Sequence, residues 1–190
     1  DGIACVDTSP VMEKYWAQRS GIGWQGKHTN IISKEFGSWI FLGELILNVE
    51  LDYDPPFDND LCGNCTACID SCPTDALMEY QLDSKKCISY WSIEHKGEFD
   101  EKQNVDLYDW IYGCDICQEV CPWNVKFAQE TNQKSFQPRR EIFEWDKKEW
   151  GQMDQKKFSS LFKNSSVKRA KFSGLSRNIN KNLIDKGETK

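Results

Sequence analysis

Residues 62–73 read CGNCTACIDSCP and hold four of the chain's nine cysteines. Their spacing, C-x-x-C-x-x-C-x-x-x-C-P, is typical of bacterial-type iron–sulfur proteins. Thiolates at steps of three residues can surround one cubic cluster while the chain loops around it. The fourth cysteine, followed by Pro73, ligates the other cluster in two-cluster proteins. The stretch therefore predicts that further ligands lie elsewhere in the chain.

A second run, CDICQEVCP at residues 114–122, repeats the end of the first. A complete copy would place a cysteine at position 111, where this chain has Ile111. Cys87 lies between the two runs and is the obvious substitute. The predicted ligands are Cys62, Cys65, Cys68 and Cys121 for one 4Fe–4S cluster and Cys72, Cys87, Cys114 and Cys117 for the other.

Zinc and disulfide bonds are the alternatives to iron–sulfur clusters. Zinc also accepts four thiolates, but zinc sites need neither a third cysteine at a further step of three nor a Cys-Pro ending. A disulfide framework would imply secretion, and the clustered spacings do not suit it. The spacing therefore favours two 4Fe–4S clusters. Cys5 lies far from both runs and is predicted to be a small buried residue.

The flanking sequence predicts an α+β chain. We expect a helix over Pro10–Ser20, where Asp7, Thr8 and Ser9 offer capping oxygens, and strands at 31–33 and 39–47 with a turn at 35–37. The proline- and aspartate-rich stretch 51–60 predicts a linker. Further helices are expected near 154–162 and 167–178. The predicted domains are residues 1–55, 56–126 and 127–190.

Charge is distributed unevenly along the chain, whose formal net charge is −6. Residues 156–190 carry ten Lys/Arg and two Asp/Glu, whereas residues 1–155 carry fourteen and twenty-eight. An acidic body with a basic tail can attract a polyanion at one end. A solvated, lysine-rich C-terminus is the alternative. If the tail binds nucleic acid, we expect Lys168, Arg169, Lys171 and Arg177 to contact phosphates.

The sequence shows neither a secretory signal nor a membrane span. The most apolar stretch, residues 38–49, is broken by Gly43 and Glu44 and falls short of the roughly 20 residues that a bilayer requires. We therefore expect a cytoplasmic protein without a membrane partner, and a monomer. The chain does not open with Met, so we also expect it to be part of a longer protein.

Motifs outside the cysteine runs resemble a known family. They are VDTSPVMEK (6–14), GIGWQGKHTN (21–30), GSW (37–39), FLGE (41–44), CISYWSIEH (87–95) and DICQEVCPWN (115–124). Together they resemble epoxyqueuosine reductase, the cobalamin-dependent enzyme of the last step of queuosine biosynthesis in tRNA. The resemblance covers most of residues 6–124 and fades after Trp150.

This resemblance implies a fold and an activity. The fold would be part of an α/β corrinoid-binding region, then a two-cluster ferredoxin-like domain and a helical basic tail. The activity would be reduction of epoxyqueuosine to queuosine in tRNA, with electrons from an unidentified low-potential donor passing through two 4Fe–4S clusters to cobalamin. The family's members carry further corrinoid-binding sequence ahead of the segment that begins this chain.

The resemblance also implies roles for individual residues. Asp7 matches the acidic residue that the family uses near the corrinoid, and burial would favour its neutral, proton-donating form. Its alternative role is to cap the predicted helix. The candidate corrinoid contacts are Gly23, Gly26, Lys27, His28 and Asn30. For any one of these, a role in a tight structural turn is the alternative.

Two other functions are compatible with the cysteine pattern. A reductive dehalogenase also combines two clusters with a corrinoid, but such enzymes usually carry export signals. A plain two-cluster electron-transfer module would not need the glycine-rich segment 21–30. The first fifty residues therefore argue against the electron-transfer module, whereas a reductive dehalogenase would differ in its export signal and would not need a surface for tRNA.

Overall fold

A computed structural model of the chain describes residues 1–185. The chain divides into two compact units, each built from two stretches of sequence. Unit 1 comprises Asp1–Asp83 and Asp115–Glu130, and unit 2 comprises Ser84–Cys114 and Thr131–Lys190. The mixed helix and strand content agrees with the predicted α+β class. The units do not follow the predicted boundaries at residues 55 and 126, because Ser84–Cys114, inside the predicted second domain, belongs to unit 2.

Unit 1 consists of short elements. They are β1 (Gly2–Cys5), α1 (Glu13–Arg19), β2 (Trp24–Gln25), β3 (Ile31–Ile32), β4 (Glu44–Leu47), α2 (Ala67–Asp70), β5 (Leu77–Met78), β6 (Gln81–Leu82), α3 (Ile116–Glu119) and α4 (Pro122–Phe127). β1 pairs with β4, β2 with β3 and β5 with β6, in each case antiparallel and in a sheet of two strands. Neither helices nor sheets of this size can stabilise themselves, so packing and loop contacts must hold the unit together.

The N-terminal elements differ in length from the prediction. α1 begins at Glu13, and its N-cap Met12 makes no side-chain capping hydrogen bond. The predicted capping role of Asp7 is therefore wrong. Of the strand predicted over residues 39–47, only Glu44–Leu47 forms, paired with the unpredicted strand β1. The predicted turn is present, closed by a bridge between Ser33 and Gly37.

We call residues 62–73, which carry the first cysteine run, the cysteine loop. The core of unit 1 lies between the β2–β3 hairpin and this loop. Trp24, Ile32 and Cys121 are buried together. Trp24 stacks on Phe57 at 5.4 Å between ring centroids and meets Trp123 edge-on at 4.8 Å. Aromatic residues contribute much of the buried area in a small core such as this one. The core therefore joins three sequence-distant segments around a cysteine.

A buried asparagine ties the stretch 115–130 to the N-terminal part of unit 1. Asn124 Oδ1 accepts a hydrogen bond from the Ser38 backbone N–H at 2.5 Å, and its Nδ2 donates to Ser38 Oγ at 2.8 Å. Gly37 lies against this side chain, where an added Cβ would be 2.1 Å from Oδ1. Since Gly37 also has φ +67°, only glycine suits the position.

Unit 2 is helical. It contains a π-helical turn at Tyr90–Glu94, 3-10 turns at Glu101–Gln103, Lys134–Phe136 and Ser166–Ala170, and the helices α5 (Arg140–Glu144), α6 (Lys147–Gly151), α7 (Gln155–Leu161) and α8 (Lys171–Asp185). One apolar core forms around Phe158, Phe162 and Leu175, and another around Trp91 and Leu107. Asp154 caps α7 by accepting from the backbone N–H of Lys157, so this helix begins where the sequence predicted. Within residues 1–185, no helix combines the length and apolar character needed to cross a bilayer.

Arg177 of α8 is buried and saturated with hydrogen bonds. Its guanidinium donates to the carbonyl oxygens of Trp91, His95 and Gly97 at 2.7–3.0 Å and lies 4.2 Å from the Phe99 ring centroid. The predicted phosphate contact of Arg177 is therefore wrong, because its donors are already used inside unit 2.

Candidate iron–sulfur site

Four of the predicted ligands line one cavity in unit 1. Its volume is about 190 Å³. The thiols of the first predicted set surround it, together with Lys27 and His28 from the hairpin loop and apolar side chains. The cysteines are Cys62, Cys65, Cys68 and Cys121. The structure thus brings together the four cysteines that the sequence assigned to one cluster, although Cys121 is far along the chain from the other three.

Local structure places each of these cysteines. Gly63 adopts φ +50°, which lets the chain turn between Cys62 and Cys65, and the Cys65 N–H donates to the Cys62 carbonyl at 3.0 Å. Cys68 lies on α2. Cys121 is the N-cap of α4, which begins with Pro122. Proline suits a first helical position because its missing N–H would have no intrahelical partner there.

The thiols of this set interact electrostatically. Burial raises the pKa of Cys68, and the neighbouring Cys121, Cys62 and Cys65 raise it further. The pKa of Cys121 is raised by the same two effects, burial first. Mutual repulsion of four thiolates disfavours the metal-free, deprotonated site. A bound iron cluster would remove this repulsion by neutralising the thiolates.

Trp24 is a functional candidate that sequence reasoning missed. Its indole Nε1–H donates to Cys62 Sγ at 3.4 Å, and the residue is only 1% exposed. Hydrogen bonds to ligating sulfur tune iron–sulfur sites. The sequence signal was the tryptophan inside the glycine-rich segment, but nothing in the sequence shows that its ring faces a cysteine.

Asp60 and Tyr80 support the start of the cysteine loop. Asp60 Oδ1 accepts from the Cys62 N–H at 2.9 Å, and its other oxygen accepts from the Tyr80 hydroxyl. The Tyr80 hydrogen bond is the main reason that the pKa of Asp60 lies below its ordinary value. The two residues therefore stabilise the backbone at the first ligand.

Lys27 contacts the same loop. It is buried, its Nζ donates to the Gly63 carbonyl at 2.8 Å, and it forms an ion pair with Glu79 Oε1 at 2.7 Å. The Glu79 hydrogen bond raises the pKa of Lys27. The residue predicted to contact a corrinoid thus has its ammonium group engaged beside the cysteines.

His28 is buried against the cysteine cavity. Only 2% of the residue is exposed, and its Nδ1 accepts a hydrogen bond from the Asn30 backbone N–H at 3.2 Å. Burial, helped by the positive charge of Lys14, lowers the pKa of His28 to about 4. The Nε2 atom has no hydrogen-bond partner among the described residues. Sequence reasoning placed His28 near the corrinoid or substrate, and the structure places it beside the first set of cysteines.

The second predicted set is divided between the units. Cys72 and Cys117 belong to unit 1, and Cys87 and Cys114 belong to unit 2. Burial alone would raise the pKa of Cys72, but hydrogen bonds from the Ala76 N–H and from Thr74 bring it below the ordinary value. Cys114 packs against the core around Trp91 in unit 2.

The donor set in unit 1 fits an iron–sulfur cluster. Four cysteines and a buried histidine line one cavity, and an indole N–H outside that lining donates to one of the thiols. Within the described range, no group of three or more His, Cys, Asp or Glu side chains is arranged to hold a single metal ion. Cys5 is buried, as predicted, and lies in β1.

Asp7 lies in a strained turn between β1 and α1. Its φ is +54°, and the Thr8 N–H donates to the Val6 carbonyl at 2.5 Å across it. Positive φ is uncommon for residues other than glycine, and such strain is concentrated at functional sites. The side chain is exposed, which differs from the burial that the sequence argument required.

Asn30 lines an open cleft of about 440 Å³ in unit 1. Its Oδ1 accepts from Lys14 Nζ at 3.1 Å, and Trp39, Ser38 and Gln118 also line the cleft.

The two glycines predicted to contact a corrinoid, Gly23 and Gly26, are buried. A Cβ on Gly23 would lie 2.0 Å from the Ile32 carbonyl oxygen, and one on Gly26 would lie 2.5 Å from Ile32 Cδ1. Packing against β3 therefore accounts for glycine at both positions.

The basic tail presents fewer cations than its sequence suggests. Lys168 and Lys171 are exposed, whereas Arg169 forms an ion pair with Glu94 at 2.6 Å. Arg177 is buried. Lys186 and Lys190 lie outside the described residues.

Residues 61–124 match the model of the 4Fe-4S double cluster binding domain. The match includes the eight predicted ligands. It agrees with the prediction of iron–sulfur clusters rather than zinc or disulfides.

Curated relatives cover most of the chain. An epoxyqueuosine reductase of Cellulophaga algicola is 45% identical over 94% of this chain and 58% of its own length. One of Leadbetterella byssophila is 47% identical over the same two shares. The chain is a relative of the epoxyqueuosine reductases. The resemblance inferred from the motifs is confirmed, and the chain spans a little over half the length of these curated epoxyqueuosine reductases.

Solved epoxyqueuosine reductases share the fold. A selenomethionine-labelled epoxyqueuosine reductase superposes with a TM-score of 0.87 at 31% identity, over 96% of this chain and 48% of the other. A second was solved with an epoxyqueuosine-modified tRNA-Tyr stem loop and gives a TM-score of 0.81 at 29% identity, over the same shares. A third, from Bacillus subtilis, was solved with its catalytic loop swung out of the active site. It gives a TM-score of 0.79 at 28% identity, over 96% of this chain and 48% of the other.

Proposed function

We propose that this chain carries two 4Fe–4S clusters and serves the reduction of epoxyqueuosine to queuosine in tRNA. The observation that carries the proposal is the cavity of unit 1. This chain is a relative of the epoxyqueuosine reductases, and the four cysteines predicted as one ligand set line one cavity, with an indole N–H donating to one of them. Such a site suits the holding of an iron cluster and the transfer of single electrons.

The second cluster would be held by Cys72, Cys87, Cys114 and Cys117. The double cluster match supports it, since that match spans all four residues. Cys87 is the essential member, because Ile111 occupies the position of the missing motif cysteine.

Cobalamin is the further cofactor that the family implies, and it would deliver electrons to the epoxide. The cleft at Asn30 would suit the polar side groups of a corrinoid. Asn30, Gln118 and Lys14 offer amide and ammonium groups there, beside the aromatic rings of Trp39 and Phe41. Asn30 is thus the best supported of the five proposed corrinoid contacts. Gly23, Gly26, Lys27 and His28 would support this region from within unit 1.

Asp7 would supply the proton that accompanies epoxide opening. An alkoxide-like oxygen leaves poorly unless it is protonated, and general acids commonly contribute about 10²–10⁴-fold. Two observations support Asp7: its strained backbone and its distance in sequence from the start of α1. Its exposed side chain departs from the burial that the sequence argument used, so the role rests on these two observations and on the motif. The capping alternative no longer competes with this role.

The tRNA substrate would meet the exposed cations of the tail. Lys168 and Lys171 offer charge near the start of α8, and phosphate contacts of this kind give affinity without base selectivity. The tRNA stem loop bound in a solved relative supports tRNA as the class of substrate.

Replacement in a homologous enzyme tests the proposed function. The aligned part of this chain, 94% of its length, would replace the matching segment of the 42% identical Synechocystis epoxyqueuosine reductase. The chimera, loaded with iron, sulfide and cobalamin and reduced anaerobically, should convert epoxyqueuosine in tRNA to queuosine, detected by nucleoside analysis. A chimera that holds eight irons but forms no queuosine would contradict the proposal.

A further inference from the structure

His28 carries a buried hydrogen-bond donor with no partner among the described residues. Its Nδ1 accepts the Asn30 N–H. A neutral imidazole that accepts at Nδ1 carries its proton on Nε2. The Nε2–H group is therefore a donor, and it is buried without an acceptor. Leaving such a group unsatisfied costs stability, so buried donors nearly always have partners.

The surroundings of His28 indicate the missing acceptor. The ring lines the same cavity as Cys62, Cys65, Cys68 and Cys121. When a cluster occupies that cavity, its sulfide and thiolate sulfurs are anionic acceptors beside the buried His28 ring. The other large cleft near this segment is lined by Asn30 and Lys14 but not by His28.

Neighbouring residues fix the ring in place. A Cβ on Gly26 would lie 3.1 Å from His28 Cε1, so glycine at position 26 leaves room for the imidazole. The hydrogen bond from Asn30 sets which nitrogen carries the proton. From the start of the same hairpin, Trp24 already donates to Cys62 Sγ. From this hairpin, Trp24 thus contacts Cys62, and His28 lines the cavity of the same set of cysteines.

We propose that His28 Nε2–H donates a hydrogen bond to a sulfur of the cluster held by Cys62, Cys65, Cys68 and Cys121, and thereby raises the reduction potential of that cluster. This inference rests on the proposed function, which places a 4Fe–4S cluster in the cavity. Reduction adds one negative charge to the cluster, so a hydrogen bond to sulfur favours the reduced form. His28 is thus a positioning and tuning residue of the electron path.

The first test detects the nitrogen directly. The chain has two histidines, His28 and His95. In a His95→Phe variant grown with ¹⁵N-histidine, His28 is the only labelled residue. Pulsed EPR of the reconstituted, reduced protein should show a ¹⁵N coupling to a cluster, together with an exchangeable proton that is lost in D₂O. Absence of both couplings from a protein with eight irons would overturn the inference.

The second test measures the reduction potential. His28→Leu removes the donor, and His28→Gln keeps an N–H group. At a fixed applied potential, His28→Leu should lower the reduced-to-oxidised ratio of one cluster by about tenfold, which is 59 mV for one electron. The reduction potential of His28→Gln should lie closer to that of the unmodified protein, and the potential of His95→Phe should equal it. An unchanged potential in His28→Leu would overturn the inference.

Iron content distinguishes failure of the proposed clusters from failure of the inference about His28. Fewer than eight irons in the unmodified chain would contradict the proposed clusters, whatever His28 does. Eight irons without a His28 effect would contradict only the inference about His28. If His28→Leu fails to hold iron, the ¹⁵N measurement, made with His28 intact, decides the question.

Discussion

Lys27 Nζ donates a 2.8 Å hydrogen bond to the carbonyl oxygen of Gly63, the residue that follows the first cysteine of the motif. The lysine comes from the hairpin loop between β2 and β3, and the glycine adopts φ +50° in the cysteine loop. This contact connects the glycine-rich segment to the predicted ligands within unit 1. It explains why the segment accompanies the cysteine motif without requiring that Lys27 touch a corrinoid.

Replacing Lys27 should weaken the first cluster. Lys27→Met keeps most of the aliphatic stem but removes the donor to Gly63 and the ion pair with Glu79. The reconstituted variant should release iron to a chelator several-fold faster than the unmodified chain, followed by the loss of visible absorbance.

Glu79→Gln is the matched control for this change. Its carboxylate is 59% exposed, and exposed ion pairs contribute little to stability. We expect near-normal iron release from Glu79→Gln, because the Lys27–Gly63 hydrogen bond remains. Equal release rates for Lys27→Met and the unmodified chain would show that this contact does not support the cluster.

Asp7→Asn should leave the clusters intact but abolish most of the proposed turnover. Asparagine keeps the shape and tolerates positive φ, but it has no acidic proton to donate. In the Synechocystis chimera, queuosine formation should fall by about 100-fold or more, with eight irons retained. Normal turnover would show that the proton comes from another residue or from water.

Arg177 should matter for stability rather than for tRNA. Arg177→Met removes the donors to three backbone carbonyls, and we expect about 3 kcal/mol of destabilisation in chemical unfolding. Lys171→Met, at the exposed start of α8, should change the free energy of unfolding by less than about 0.5 kcal/mol. Equal effects of the two changes would contradict a structural role for Arg177.

The exposed cations of the tail should set the salt dependence of tRNA binding. Removing two phosphate contacts with Lys168→Gln and Lys171→Gln should reduce the slope of log affinity against log salt by about 1.4–1.8. Lys102→Gln and Lys148→Gln, which remove the same charge from exposed positions ahead of residue 156, should leave the slope nearly unchanged. Identical slopes for the two double variants would mean that Lys168 and Lys171 are only solvated.

The cysteine cavity was predictable from the sequence because iron–sulfur ligation constrains local spacing. Cys62, Cys65 and Cys68 lie close together in any chain that wraps a cluster, and the Cys-Pro ending placed Cys121 with them. The roles of His28 and Lys27 were not predictable. Residue type suggested a ligand or a corrinoid contact, whereas the hydrogen-bond partners Asn30 N–H and Gly63 C=O decide the orientation of these two side chains.

Long-range pairings account for the remaining differences. β1 pairs with β4 about forty residues away, and a four-residue strand carries too little pattern to predict its partner. Asn124 and Ser38 form two buried hydrogen bonds, and such a pair produces no periodic pattern in the sequence. In the tail, a count of charges cannot distinguish an exposed lysine from an arginine that is buried. The sequence therefore did not show that Arg177 is buried and donates to backbone carbonyls.

The most direct test of the account is iron and sulfide analysis of the 190-residue chain after anaerobic reconstitution. Two 4Fe–4S clusters predict eight irons and eight sulfides per chain. Cys87→Ala should lower the iron content to about four by removing a ligand of the second cluster. Cys5→Ala, a change at a buried cysteine outside both ligand sets, should retain all eight. Four irons in the unmodified chain, zinc in place of iron, or eight irons in Cys87→Ala would contradict the account.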